Sequence, residues 1–123
     1  MDINKLVNRY DPNIIINTNP TPFVTADSYQ QVLTMNTGKH PMFVVQVVNL
    51  DVANTLTFQI DTSFDGTNWL VQKSDTDVLP STNGYYADNS LGVITRISVK
   101  SKIASTPASC IVYTRLNPAS AIY

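Results

Sequence analysis

Residues 58–74 read FQIDTSFDGTNWLVQKS, two alternating arms joined across an Asp-Gly pair. On the first arm Leu56, Phe58 and Ile60 share one face and Thr55, Thr57 and Gln59 the other, the period of a strand with one side buried and one side wet. Gly66 takes a positive φ at little steric cost and Asp65 tolerates a turn, so the stretch predicts a hairpin with a loop of about four or five residues. Trp69 opens the return arm over residues 69–73 as a large apolar anchor, expected to share a core with Phe58 and Ile60.

Outward from this hairpin the chain continues in short β-like runs separated by Pro, Gly and Asn. Residues 13–17 (NIIIN) and 29–35 (YQQVLTM) are candidate strands. Residues 42–50 (MFVVQVVNL) are apolar on both faces except at Gln46, which predicts a central strand covered on either side. Residues 92–103 (GVITRISVKSKI) and 109–117 (SCIVYTRLN) read as a terminal hairpin around residues 104–108. About seven or eight strands with no long helix predict an all-β fold, an antiparallel two-sheet sandwich. Jelly-roll and immunoglobulin-like strand orders give the same alternation, so both remain open at this point.

Residues 13–123 are thus expected to form a single β-sandwich domain. Residues 1–12 read as an N-terminal arm or short helix, because Ile3, Leu6, Val7 and Tyr10 fall at i, i+3, i+4 and i+7. Asp2 is placed to cap it and Asp11-Pro12 to stop it. A helix this short needs a surface to pack on, either its own domain or a neighbouring subunit, and these four residues are the candidate partner contacts.

Composition narrows the function. Of the 123 residues 43% are hydrophobic and 14% charged, and the formal net charge is −1. Every acidic residue is aspartate, and Ser, Thr and Asn supply much of the polar surface. The eight Lys and Arg residues are scattered, so no basic field for nucleic acid is expected. No stretch approaches the ~20 apolar residues of a membrane span, and no signal-peptide core is seen near the N-terminus. Cys110 is alone, which rules out an internal disulfide, and in its alternating strand it reads as a small core residue.

No residue set identifies a reaction. Asp61, Ser63, Asp65 and Gly66 match the first half of a calcium loop, but Gln72 stands where the bidentate carboxylate belongs, so no metal or other cofactor is expected. His40 lies in a Gly-Lys-His-Pro turn, and Asp75, Asp77 and Asp88 lie in turn-like stretches. Tyr85 and Tyr86 follow Asn83-Gly84 in what reads as a polar loop. With Asp88 and Trp69 they form the candidate glycan contact, ring faces covering C–H groups while polar atoms take hydroxyls.

The hairpin over residues 55–72, with its S-F-D-G-T-N-W centre, resembles one found in small β-sandwich structural proteins of tailed-bacteriophage particles. The closing VITRISVKSKI (93–103) and CIVYTRL (110–116) resemble the last hairpin of those proteins. The S-x-D-G-x-x-W pattern is also similar to one in discoidin-like carbohydrate-binding domains. The first resemblance implies a non-enzymatic virion protein, an auxiliary or decoration subunit bound to a phage capsid and located in the virion after assembly in the host cytoplasm. Its implied partners are capsid or other virion proteins and further copies of itself, with neither nucleic acid nor membrane. The alternative it leaves is a tail-associated adhesin or a carbohydrate-binding module. No site residue of either family maps onto this chain.

Overall fold

The computed structural model describes residues 15–18 and 22–117, with side chains from Pro22 onward. Nine strand segments follow in chain order: β1 (Ile15–Thr18), β2 (Phe23–Val24), β3 (Gln30–Asn36), β4 (Met42–Asn49), β5 (Leu56–Ser63), β6 (Trp69–Val78), β7 (Asn83–Asn89), β8 (Ile94–Ser101) and β9 (Ser109–Asn117). The segments β1 and β2 both pair with β9, along its one free side, and together act as one interrupted strand. Eight strand positions therefore fill two antiparallel sheets. Sheet I has the order β1/β2-β9-β4-β7 and sheet II the order β3-β8-β5-β6.

The hairpin at residues 58–74 organises all of this. Its turn lies between the paired residues Ser63 and Trp69, leaving five residues in the loop. Around it the first half of the chain pairs with the second in reverse order: β5 with β6, β4 with β7, β3 with β8, and β1 and β2 with β9. The registers agree, since Met42 faces Asn89, Asn36 faces Ile94 and Ile15 faces Leu116, each pair centred on the same turn. The molecule is one long concentric hairpin rolled up on itself. From β2 to β9 the chain changes sheet at every step except β5 to β6, which is the jelly-roll order and not the immunoglobulin-like one.

The turn is built from its own side chains. Gly66 sits at φ 80°, a region that L side chains rarely enter. Asp65 accepts backbone hydrogen bonds from Asn68 and Thr67, each at 2.8 Å, and one from the Asn68 amide at 2.7 Å. Those donors, Asn68 first, hold the Asp65 carboxyl well below the usual carboxylate range.

The core lies between the sheets. Phe43, Val45, Val47, Val112 and Leu116 point in from sheet I, and Leu56, Phe58, Ile60, Ile97 and Val99 from sheet II, all essentially without solvent exposure. Cys110 is among them, as its alternation predicts. Gly84 explains itself here: a Cβ would lie 2.8 Å from Val78 Cγ2 and 3.2 Å from Phe58 Cε1, so the glycine makes room for the core ring.

Four sequence expectations change. The runs at residues 92–103 and 109–117 do not pair with one another, because β8 belongs to sheet II and β9 to sheet I, and the segment between them crosses from layer to layer. Trp69 does not join the core: opposite Ser63 it is held on the Ser63 and Asp61 side of sheet II, away from Phe58 and Ile60. Tyr85, Tyr86 and Asp88 lie on β7 instead of in a loop. Asp75 and Asp77 are likewise on β6, not in a turn.

Candidate interaction surface

The two outer faces of the sandwich differ in kind. On sheet II the charged side chains of the outer face are paired, although Leu70 and Val71 on its edge strand β6 are exposed apolar residues. Arg96 donates from Nε to Asp61 at 3.0 Å, and its guanidinium lies 4.0 Å from the centre of the Trp69 ring. Gln59 donates to the other oxygen of Asp61 at 2.9 Å. Lys100 lies over Tyr29, whose hydroxyl donates to Asp75. Lys102 pairs with Asp77 at 2.9 Å, and Thr57 donates to the same aspartate at 2.8 Å. These long side chains lie over β5, so Thr57 and Asp61 are only 2% and 3% exposed although they point away from the core. Asp61 and Asp65 are therefore turned to different partners, Arg96 and the turn backbone, and do not converge as a calcium loop requires.

Sheet I has almost no charge on its outer face. Strand pairing sets four rows across β9, β4 and β7: Ile111-Val48-Asn83, Tyr113-Gln46-Tyr85, Arg115-Val44-Ala87 and Asn117-Met42-Asn89. Among the described residues of these rows Arg115 is the one charged side chain. Tyr85 is 62% exposed, Met42 44% and Tyr113 41%. Gln46 donates to the Tyr85 hydroxyl at 3.3 Å, joining the tyrosine row.

The small side chain of Ala87, on the edge strand β7 opposite Val44, leaves this side of the face hollow. One depression of about 290 Å3 lies at the end of β4 among Met42, Val44, Ala87, Asp88, Arg115 and Asn117, so a carboxylate and a guanidinium both border it, and a second of about 200 Å3 lies beside it among Val44, Gln46, Tyr113 and Arg115. Asn117 Oδ1, shielded from solvent at the rim, has no hydrogen-bond donor among the described residues. A shielded acceptor of that kind costs roughly 1–3 kcal/mol until something donates to it.

This face corrects the reading of β4 as a strand covered on both sides. Its Phe43, Val45 and Val47 are in the core, but Met42, Val44 and Val48 look out through sheet I, and no described residue forms a layer over them. The apolar pattern was real, and its second half marks a surface.

The candidate glycan contacts do not assemble into one site. Trp69 faces out of sheet II against Arg96, while Tyr85, opposite Gln46, faces out of sheet I. Tyr86, opposite Val45, turns inward, tilts on Phe43 at 5.9 Å between ring centres and donates to Asp88 at 2.6 Å. The row that Tyr85 does belong to includes Tyr113, which alternation in β9 shows as an outward side chain but which has meaning only once β9, β4 and β7 are known to be neighbours. The candidate partner contacts Ile3, Leu6, Val7 and Tyr10 lie outside the described residues.

No family model matches this chain, and no curated protein matches it in sequence. Solved structures do share its architecture. A chain of Bacillus endospore appendages, which are disulfide-linked pili, superposes with a TM-score of 0.55 at 8% identity, covering 87% of this chain and 90% of that one. PirA superposes with a TM-score of 0.56 at 12% identity, covering 87% of this chain and 95% of that one. The coat protein of tobacco streak virus is a looser match, with a TM-score of 0.42 at 10% identity and 91% of each chain covered. At such identities the likeness is one of fold alone.

Proposed function

We propose that this chain is a non-enzymatic structural subunit that joins a larger protein assembly through the outer face of sheet I, in its most specific form an auxiliary subunit on a phage particle. The segregation of charge carries this reading. Sheet II keeps its charges paired and solvated, whereas sheet I presents tyrosines, aliphatic side chains and amides with little electrostatic cost to close approach. The hairpin resemblance supports the phage setting, and the similarity to a pilus chain supports a role in assembly.

The means of linkage would differ from that of disulfide-linked pili. Cys110 is the one cysteine, it is buried, and burial pushes its thiol up to about 11. Contacts between subunits therefore fall to non-covalent surfaces. A gold-labelled antibody against the chain should decorate intact particles purified from the source, and gentle reduction should leave the label in place. Label confined to particle-free fractions would refute the particle assignment.

A further inference from the structure

We infer that the outer face of sheet I pairs with the same face of a second copy of this chain, turned about a two-fold axis that runs along β4. The inference rests on the reading of this face as the assembly surface and names its partner.

A face that pairs with itself must be its own complement. An axis along β4 lays each row over itself, with β9 of one copy above β7 of the other. The two central rows match under that operation. In the row Tyr113-Gln46-Tyr85, an exposed tyrosine of one copy meets an exposed tyrosine of the other on both sides of Gln46. In the row Arg115-Val44-Ala87, the longest side chain of the face comes to lie over the smallest. Facing sheets cross at about 30°, which displaces the outer members of these two rows by about 3 Å, under half the ~6.8 Å between rows.

Charge follows the same symmetry. The Arg115 guanidinium pairs with no carboxylate among the described residues, although it borders the same depression as Asp88. Their strands, β9 and β7, are two apart, roughly 9.6 Å, with Val44 of β4 between them. A guanidinium brought down from the second copy beside Ala87 enters that depression, where Asp88 and the undonated Asn117 Oδ1 can both accept from it. The axis makes two such seats, one on each copy.

The area sets the strength. Beyond β9 the sheet continues in β1, which places Ile16 and Thr18 at the register positions beside Arg115 and Tyr113, and in β2, whose Val24 is 57% exposed. Four strand positions about 4.8 Å apart and four rows about 6.8 Å apart cover about 500 Å2, and the three strands that overlap about this axis cover about 400 Å2. A pair therefore buries about 800 to 1,000 Å2 in total, the low end of specific interfaces. The contact is a weak, reversible one that a larger assembly strengthens by repetition.

Sedimentation equilibrium of the full chain from micromolar to millimolar concentration should show monomer and dimer in exchange. Arg115→Asp and Asp88→Lys, each checked for native circular dichroism and melting, should each weaken pairing about ten-fold or more. An equimolar mixture of the two should recover a heterodimer of wild-type strength, because the exchanged charges meet at both seats. Ala87→Leu, which fills the hollow without changing charge, should also weaken the pair. Monomer throughout the range would overturn self-pairing. Dimers unaffected by Arg115→Asp and by Ala87→Leu would place the contact elsewhere on the molecule. Loss in both charge variants without recovery in the mixture would refute the match of Arg115 to Asp88. A chain that stays monomeric while Arg115→Asp abolishes antibody labelling of particles would refute self-pairing and leave the assembly face standing.

Discussion

Gly92→Ala should be among the most destabilising single-methyl changes this protein can receive. A Cβ at that position would lie 2.5 Å from the Ser63 carbonyl oxygen, 2.6 Å from Thr62 Oγ1 and 2.8 Å from the Ser63 carbonyl carbon. Two of these are backbone atoms of β5, which cannot rotate away. The site is also a junction of hydrogen bonds: the Gly92 N–H donates to Thr62 Oγ1 at 2.8 Å, the Val93 N–H to Ser63 O at 2.8 Å, and the Thr37 N–H to Val93 O at 2.8 Å. Beneath it the hydroxyls of Thr37, Thr62, Ser90 and Thr95 bond one another in a shielded cluster. Moving the 92–93 segment outward strains all of them at once, so a cost of about 3–4 kcal/mol is expected. That corresponds to a fall in melting temperature of about 12 °C or more for a domain of this size. Gly38→Ala, whose Cβ would find no atom nearer than 3.3 Å, should change little by comparison. Equal melting curves for wild type and Gly92→Ala would show that the 92–93 segment does not approach the end of β5 as described.

Gly66→Val should come next, for a different reason. Its Cβ would meet only Ile94 Cδ1, at an ordinary 3.4 Å, so space is not the difficulty. The backbone is, since φ 80° forces a β-branched residue into a left-handed conformation that costs roughly 2 kcal/mol, or about 8 °C. Gly66→Asn should recover most of the loss, because asparagine enters that region readily. Assembly should be unaffected in both, as the turn is not part of the outer face of sheet I. The same melting temperature for glycine and valine at position 66 would contradict the turn geometry on which the concentric pairing is centred.

The hairpin, the core and the two-layer architecture could be read from the chain because they follow from local chemistry. Leu56, Phe58 and Ile60 alternate, Gly66 supplies a left-handed turn residue, and the fully buried Val45, Val47, Val99 and Val112 lie on period-two runs. Partner choice is not local. Residues 92–103 and 109–117 look like a hairpin because they are adjacent strands with a short link, but the link at residues 102–108 crosses between layers, and nothing in its composition distinguishes an arch from a turn. Trp69 looked like core by its size. Register decided otherwise, placing it opposite Ser63, where an arginine could stack on it.

The interaction surface was half legible for the same reason. The doubled apolar pattern of residues 42–50 announced that β4 needed cover on two sides, and only the sheet order shows that one of those sides is open among the described residues. The tyrosine row needed Gln46 as its middle member, and in sequence Gln46 was merely the exception in an apolar run. Asn83-Gly84 imitated a turn, although Gly84 is glycine because Phe58 and Val78 leave no room for a side chain. That mistaken turn hid the strand on which Tyr85 and Tyr86 point in opposite directions.

Hydroxyl-radical footprinting of the chain in its assembled form against the dissociated subunit tests the assembly face most directly, since methionine, tyrosine and tryptophan report from both sheets in one experiment. Assembly should protect Met42, Tyr85 and Tyr113 several-fold while leaving Trp69 and Tyr29 unchanged. Protection of Trp69 and Tyr29 with Tyr85 and Tyr113 still fully reactive would place the contact on the charged sheet and contradict the account.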